Sequence, residues 1–283
     1  VLLNVVLDPI LIFGLGPIPP MRVAGAAIAT LLSDFVASLV AIRVLINGIR
    51  GEKLRLHHLK PKPWLLRKLV RIGLPISVSS VGEAGGFTLL TAIISMLGSV
   101  ALASWGIGDR PLGLLDIFVS SLLGATATII GQSLGAEMYE RAKKAALRTV
   151  LYSTLITALG VLIYTTLRYE IVSIFAPSDP EVIQSAADFL LYMGPSIIFF
   201  VMLRAAFSVA SGSGHTKTVM YLSLFRLWVL RNMLAYLFGP GPFGMGVRGL
   251  WIGMSISNII TGLLALSWIV RGNWLRPVIK TNY

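Results

Sequence analysis

The stretch NVVLDPILIFGLGPIPPMRVAGAAIATLLSDFVASLVAI, residues 4–42, decides the fold class. It reads as an apolar run, a Gly/Pro-rich turn and a second apolar run of the length, roughly 20 residues, that a helix needs to cross a bilayer. The first run is already under way at residue 1, so the chain opens inside a hydrophobic segment, with no basic n-region of a cleavable signal peptide before it. An acid, Asp8, stands in the middle of that first run, immediately before Pro9.

The composition of all 283 residues agrees with a membrane reading. Apolar residues make up 55%, charged residues only 13%, and the mean hydropathy is +0.82. A soluble domain carries about 25% charged residues. The net charge of +12 raises nucleic acid as a partner, but the long apolar runs argue against it. Cysteine is absent, which removes disulfides and thiolate-bound zinc from consideration.

Apolar runs cover roughly 1–15, 24–46, 72–97, 100–131, 146–167, 186–210, 218–238 and 248–270, which predicts eight transmembrane helices in an all-α polytopic protein. The run 100–131 is long for a straight crossing, and Gly106, Gly108 and Pro111 mark an expected kink or exit from the bilayer. Orientation follows from Lys and Arg in the connecting segments. Residues 47–71 hold eight, 135–148 hold Arg141, Lys143, Lys144 and Arg148, the turn before 218 adds Lys217, and the tail adds Arg271, Arg276 and Lys280, a total of sixteen. The alternate connections hold Arg22, Arg110, Arg168 and Arg248. The sixteen-rich side, with both chain ends, is expected to face the cytoplasm, where basic segments meet anionic membrane lipids.

Displacing the chain against itself by 224 residues sets 1–48 on 225–272 with ten identities, including Met21/Met245, Val23/Val247, Gly25/Gly249, Ile28/Ile252 and Ser33/Ser257. Asp8 falls on Asn232 and Asp34 on Asn258. Six spans separate the copies, and an even number preserves orientation, as in transporters built from parallel repeats. The expected organisation is therefore 1–46 as the last two helices of a first lobe, 47–71 as a basic linker, 72–270 as a six-helix second lobe, and 271–283 as a tail. Four further helices would precede residue 1; the alternative is that these eight helices are complete.

Charges at membrane depth are costly, about 2.5–3.5 kcal/mol each on insertion scales, and mark candidate functional sites. Asn4 lies one helical turn before Asp8, so the two share a face. Pro9 frees a carbonyl about one turn back. An acid, an amide and a freed carbonyl make a proton or small-cation site; the competing reading is a salt bridge to another helix. Glu83, in GLPISVSSVGEAGGF (73–87), shares a face with Ser79, Ser80 and Gly86, where a Ser hydroxyl is placed to bond the acid. Its expected role is cavity or coupling, against pairing with an Arg. Asp116 is expected to pair with Arg110 or Arg204. Asp34 suggests a polar contact between helices, and Arg226 and Arg231 are expected to face a water-filled cavity or paired acids.

Other signals read as structural. SGSGHTK (211–217) lacks the spacing and the preceding strand of a phosphate loop. His57 and His58 have no third ligand, so no metal is expected. No hydrolase or zinc-protease motif is present, and no enzyme activity or cofactor is expected.

Taken in order, NVVLDPILIFG (4–14), GAAIAT (25–30), IGLP (72–75) with Glu83, LGSVALAS (97–104), IGQSLGA (130–136) and GVRGLWIG (246–253) resemble the multidrug and toxic compound extrusion (MATE) transporters, the DinF-like branch more than the NorM-like. The resemblance runs through nearly the whole chain. It implies a twelve-helix fold of two six-helix lobes, of which this chain is similar to helices five to twelve. It also implies secondary antiport that exports amphipathic, often cationic drugs against inward H⁺ or Na⁺ flow, by a monomer in the cell membrane.

By the same resemblance Asn4 and Asp8 correspond to a first-lobe cation site, with Thr30 adding a hydroxyl, and Glu83 to the second-lobe acid. Arg204 stands where NorM-like members carry a further acid, which favours coupling through the first lobe. Asp116, Arg204 and Arg231 complete the candidate cavity residues. Two alternatives remain: a lipid or lipid-linked oligosaccharide flippase on the same scaffold, which Arg204, Arg226 and Arg231 would suit, and a non-transporting membrane scaffold.

Overall fold

The computed structural model describes residues 2–15, 19–48, 53, 55, 60–175 and 179–276, and among these no strand occurs. Helices are α1 (Leu2–Phe13), α2 (Arg22–Asn47), α3 (Pro63–Ser95), α4 (Ser99–Gly135), α5 (Tyr139–Thr166), α6 (Arg168–Phe175), α7 (Pro180–Ser213), α8 (Thr216–Leu224), α9 (Asn232–Phe238) and α10 (Gly246–Arg271). A π-helical turn, Phe225–Arg231, joins α8 to α9. Contacts divide the chain into Val1–Arg67 and Lys68–Tyr283.

Among the described residues six helices (α2, α3, α4, α5, α7 and α10) are long and apolar enough to cross a membrane. This is a multi-pass membrane protein. The first expected run, under way at residue 1, is the 12-residue α1, and the run expected at 218–238 is the unbroken succession of α8, the π turn and α9.

Corrections concern boundaries. Helix α3 starts at Pro63, so the end of the expected linker 47–71 is helical, and Arg141, Lys143, Lys144 and Arg148 lie on the first turns of α5 rather than in a loop. The 37 residues of α4 form one helix through Gly106, Gly108 and Pro111, the expected place of a kink or exit from the bilayer. His57, His58, Arg50 and Lys280 lie outside the described residues.

Within residues 1–67, α1 packs on α2 along a ridge of small residues. Gly25, Ala29 and Ser33 recur every four positions and are the buried residues of α2. A side chain at Gly25 would run into the Leu11 carbonyl of α1, so the approach is backbone to backbone. Asp34, expected to contact a helix, is exposed beside this ridge.

Residues 68–283 form a bundle in which α7 contributes the most buried positions. Asp179 starts α7 by accepting the N–H groups of Glu181 (3.1 Å) and Val182 (3.2 Å), with Pro180 at the first helical position. Gly214 ends it in the left-handed region, φ 81°.

Helix α5 shows what solvent this fold is built for. Its inner face is Ala142, Ala146, Thr149, Ser153 and Thr157, whereas Leu147, Leu151, Leu155, Leu159 and Leu162 are exposed. Small residues inside and leucines outside invert the pattern of a helix on a soluble core and suit lipid. The inner hydroxyls of Thr149 and Ser153 are satisfied locally or across the interface, as in the Thr126–Thr149 bond (2.6 Å) between α4 and α5, whereas the Thr157 hydroxyl has no partner.

Candidate functional site

In residues 1–67 the structure brings together the three residues proposed for cation coupling. Asn4 and Asp8 are half-buried on α1, and the Asn4 Nδ2 donates to Asp8 Oδ1 at 3.4 Å and to the Thr30 hydroxyl of α2 at 3.5 Å. Thr30 in turn donates to the Ala26 carbonyl (3.0 Å), which aims its oxygen at the amide. Both bonds from Asn4 are long, so the amide orients the carboxylate without saturating it. Pro9 sits inside α1 and leaves the Val5 carbonyl without its usual helical partner. Among the described residues, neither ion pair involves Asp8.

The interior of residues 68–283 holds a second group of charges. Asp116 of α4 pairs with Arg204 of α7, one of the two expected pairings. Arg110, the other candidate, instead lies over the Phe175 ring, 5.7 Å from its centroid. Two cavities of about 270 Å³ each meet at Arg204 and Phe200. One also holds Asp109, Asp116 and Thr157; the other holds Glu83, Ser79 and Ser80.

Glu83 is met from another helix rather than from its own. The Ser223 hydroxyl of α8 donates to Glu83 Oε1. Ser80 donates to the Ile76 carbonyl (3.1 Å), and the buried Ser79 hydroxyl has no partner, so the expected bond from either is replaced by the one from Ser223. The glycines around Glu83 allow this approach: a side chain at Gly86 would collide with Leu227, while Trp228 Nε1 donates to the Gly82 carbonyl (2.9 Å) and Asn232 Nδ2 to that of Gly86 (3.1 Å).

Arg226 and Arg231 depart from expectation in their partners. The i to i+5 bonding of the π turn brings residues five apart onto one face, and both side chains are buried. Arg231 donates to Ser257 Oγ (3.3 Å) and to Asn258 Oδ1 (2.6 Å), neither of them an acid. Arg226 stacks on Phe200 at 4.7 Å, with Nε and Nη1 unpartnered. Glu83 shares one cavity with Arg204, and Asp109 shares the other. Ser223 and Phe200 were absent from the sequence-based set; nothing local to either residue announces its partner.

A bundle of lipid-facing helices with buried acids and arginines invites comparison with known transporters. The MatE family profile matches residues 75–237, from Pro75 of α3 to the penultimate residue of α9. The chain belongs to the MatE family. MatE proteins are secondary transporters, not enzymes. Curated relatives include a probable multidrug resistance protein NorM of Mannheimia succiniciproducens, 28% identical over 93% of this chain and 58% of its own length. A FAD transporter of Shewanella oneidensis is 29% identical over 93% of this chain and 57% of its own.

Among solved structures, MATE in complex with MaL6 superposes with a TM-score of 0.86 at 25% identity, covering 96% of this chain and 61% of that one. A MOP superfamily transporter from Pyrococcus furiosus, reported with a binding pocket of reverse polarity that suggests a different function, gives a TM-score of 0.87 at 26% identity, over 96% of this chain and 60% of that one. The MatE chain described here thus spans 57–58% of the length of those two curated relatives.

Proposed function

We propose that this chain is part of a multidrug exporter that couples the outward movement of amphipathic, often cationic compounds to inward H⁺ or Na⁺ through Asp8. The observation that carries the proposal is the bridge Asp8–Asn4–Thr30, in which one amide ties the acid on α1 to a hydroxyl on α2. An ionised carboxylate on a membrane helix is costly, so loading a proton or Na⁺ relieves that cost and alters how strongly the acid holds Asn4. Helix α1 is loosened at Pro9 next to the acid, which gives it two ways to pack on α2. Export follows if ion and drug favour opposite arrangements, the condition for alternating access.

Glu83 serves as a second coupling or cavity site, with Asp116, Arg204 and Arg231 around it. Because Arg204 already neutralises Asp116, coupling is assigned to the first group, as in DinF-like members. The protein works as a monomer in the cell membrane, both ends of this chain on the cytoplasmic side.

A second reading, an anionic substrate such as a lipid or lipid-linked sugar, draws on one observation. Arg204 lines both interior cavities. Its charge is shared with Asp116, which favours the first reading.

The test is dye efflux from cells expressing the full-length gene, wild type against Asp8→Asn, under imposed H⁺ and Na⁺ gradients separately. Export driven by one gradient in wild type and lost in the variant at equal expression is expected. Gradient-driven export that survives in the variant overturns the assignment to Asp8.

A further inference from the structure

A cavity larger than either of those among the buried charges lies on the outside of the bundle. A groove of about 480 Å³ runs between α4 and α5, with Arg141, Lys144 and Arg148 at one end and Leu122, Ile129 and Tyr152 along its walls. The three cations stand at i, i+3 and i+7, so they share one face of α5, and all three are exposed. Among the described residues no ion pair involves any of them, although Glu140 is one turn from Lys144.

Their position opposes the helix they stand on. Helix α5 begins at Tyr139, and cations in the first turns face the positive end of the macrodipole. Helix stability therefore does not account for Arg141 in the first turn; the orientation rule accounts for cations at this end of α5 but not for three of them lining one groove, where a bound anion meets all three side chains. The floor is fixed: the Thr126 and Thr149 hydroxyls are 2.6 Å apart, so one donates to the other and the second donates to its own helix, to the carbonyl of Leu122 (2.8 Å) or of Ala145 (2.9 Å), leaving no hydroxyl hydrogen for a ligand.

Tyr152 lies one turn beyond Arg148, 49% exposed, in the place where tyrosines mark the boundary between headgroups and hydrocarbon. Beyond it α5 presents Leu155, Leu159 and Leu162 to the surroundings. A ligand filling the groove therefore needs an anionic head at the cation end and an apolar tail leading into the membrane.

We propose that this groove is a binding site for one anionic glycerophospholipid, its phosphodiester held by Arg141, Lys144 and Arg148 and its acyl chains lying past Tyr152 and Leu122. The charge pattern and the continuity of the groove with the apolar outer face select a lipid over a soluble anion. The site does not depend on which solute the protein exports.

Native mass spectrometry of the detergent-purified protein, titrated with phosphatidylglycerol and with phosphatidylcholine of identical chains, tests the proposal. Wild type is expected to prefer phosphatidylglycerol by about tenfold, a difference of about 1.4 kcal/mol, and R141Q/K144Q/R148Q to lose the preference. The same loss of charge elsewhere, K60Q/K62Q/R67Q, is expected to retain it. Ala145→Phe, which fills the groove and keeps every charge, is expected to lose it. Inorganic phosphate at about 10 mM is expected not to displace the lipid, because the tail supplies part of the binding. Equal binding of the two lipids by wild type, equal losses in both triple variants, an unaffected Ala145→Phe protein, or displacement by phosphate would each overturn the site.

Discussion

Arg22 and Gly246, 224 positions apart, hold the same left-handed backbone conformation, with φ of 50° and 65°. Each opens the second helix of a hairpin, and the methionine before each, Met21 and Met245, donates its N–H to a carbonyl of the preceding helix, Leu11 (2.9 Å) and Phe238 (3.0 Å). The weak internal repeat in the sequence is therefore a repeated piece of backbone geometry. Only glycine enters this region freely, so Arg22 carries a strain that Gly246 avoids.

Replacing Arg22 by Gly should stabilise the protein and replacing Gly246 by Ala should destabilise it, each by about 1 kcal/mol. Thermal melts in one detergent at one lipid content measure both. Opposite signs for the two variants are the expected result.

The glycines divide into those that a neighbour crowds and those that face open space. A side chain at Gly249 would meet the Phe238 carbonyl, whereas one at Gly124 has nothing within 4 Å. Gly249→Ala should cost about 1–3 kcal/mol through overpacking. Gly124→Ala should stabilise by about 0.5–1 kcal/mol, the helix-propensity difference. Equilibrium unfolding of the two variants separates the cases.

Asp116 and Arg204 are 88 positions apart and both partly exposed, so their pairing falls between a surface and a buried ion pair. Asp116→Ala should cost about 1–2 kcal/mol, and D116R/R204D should recover most of it. A double-mutant cycle on melting temperature reads the coupling; additive losses would show that the two side chains do not sustain each other.

His215 lies in the turn after α7, half-buried beside Ser213 (Nδ1 to Oγ, 3.3 Å). Burial pushes its pKa below the ordinary 6.5, and a hydrogen bond with the Ser213 backbone opposes that only in part. The unfolded chain thus takes up a proton at a pH where the folded chain does not. Stability from this group is present above pH about 6.5 and is lost as pH falls below it toward the folded value. Melting curves between pH 7.5 and 5.5 should decline less steeply for His215→Gln than for wild type.

What the sequence made legible was local. Asn4 and Asp8 share a face because they are one turn apart, and the membrane helices announce themselves by length and hydropathy. Thr30 came only through the family resemblance, since nothing near it points to α1. The pairing of Asp116 with Arg204 was one of two expected, and only the packing of α4 on α7 chooses it over Arg110; Ser223 bonding Glu83 depends on helices that meet in space, which one-dimensional spacing does not encode. The π turn at Phe225–Arg231 contains neither Gly nor Pro, the usual marks of an irregular helix, so its place was invisible. The four cations of α5 were read as a loop because charge suggests solvent; they lie on a helix that reaches the boundary of the apolar layer.

The most direct test of the account is cation release on drug binding. The detergent-purified full-length protein is equilibrated with Na⁺ in weak buffer, ethidium is added, and H⁺ and Na⁺ release are recorded beside drug binding. Linkage requires a drug that opposes the cation to expel it. Wild type is predicted to release about one cation per drug bound, and Asp8→Asn to bind drug while releasing none. Release from Asp8→Asn equal to that from wild type would contradict coupling through Asp8.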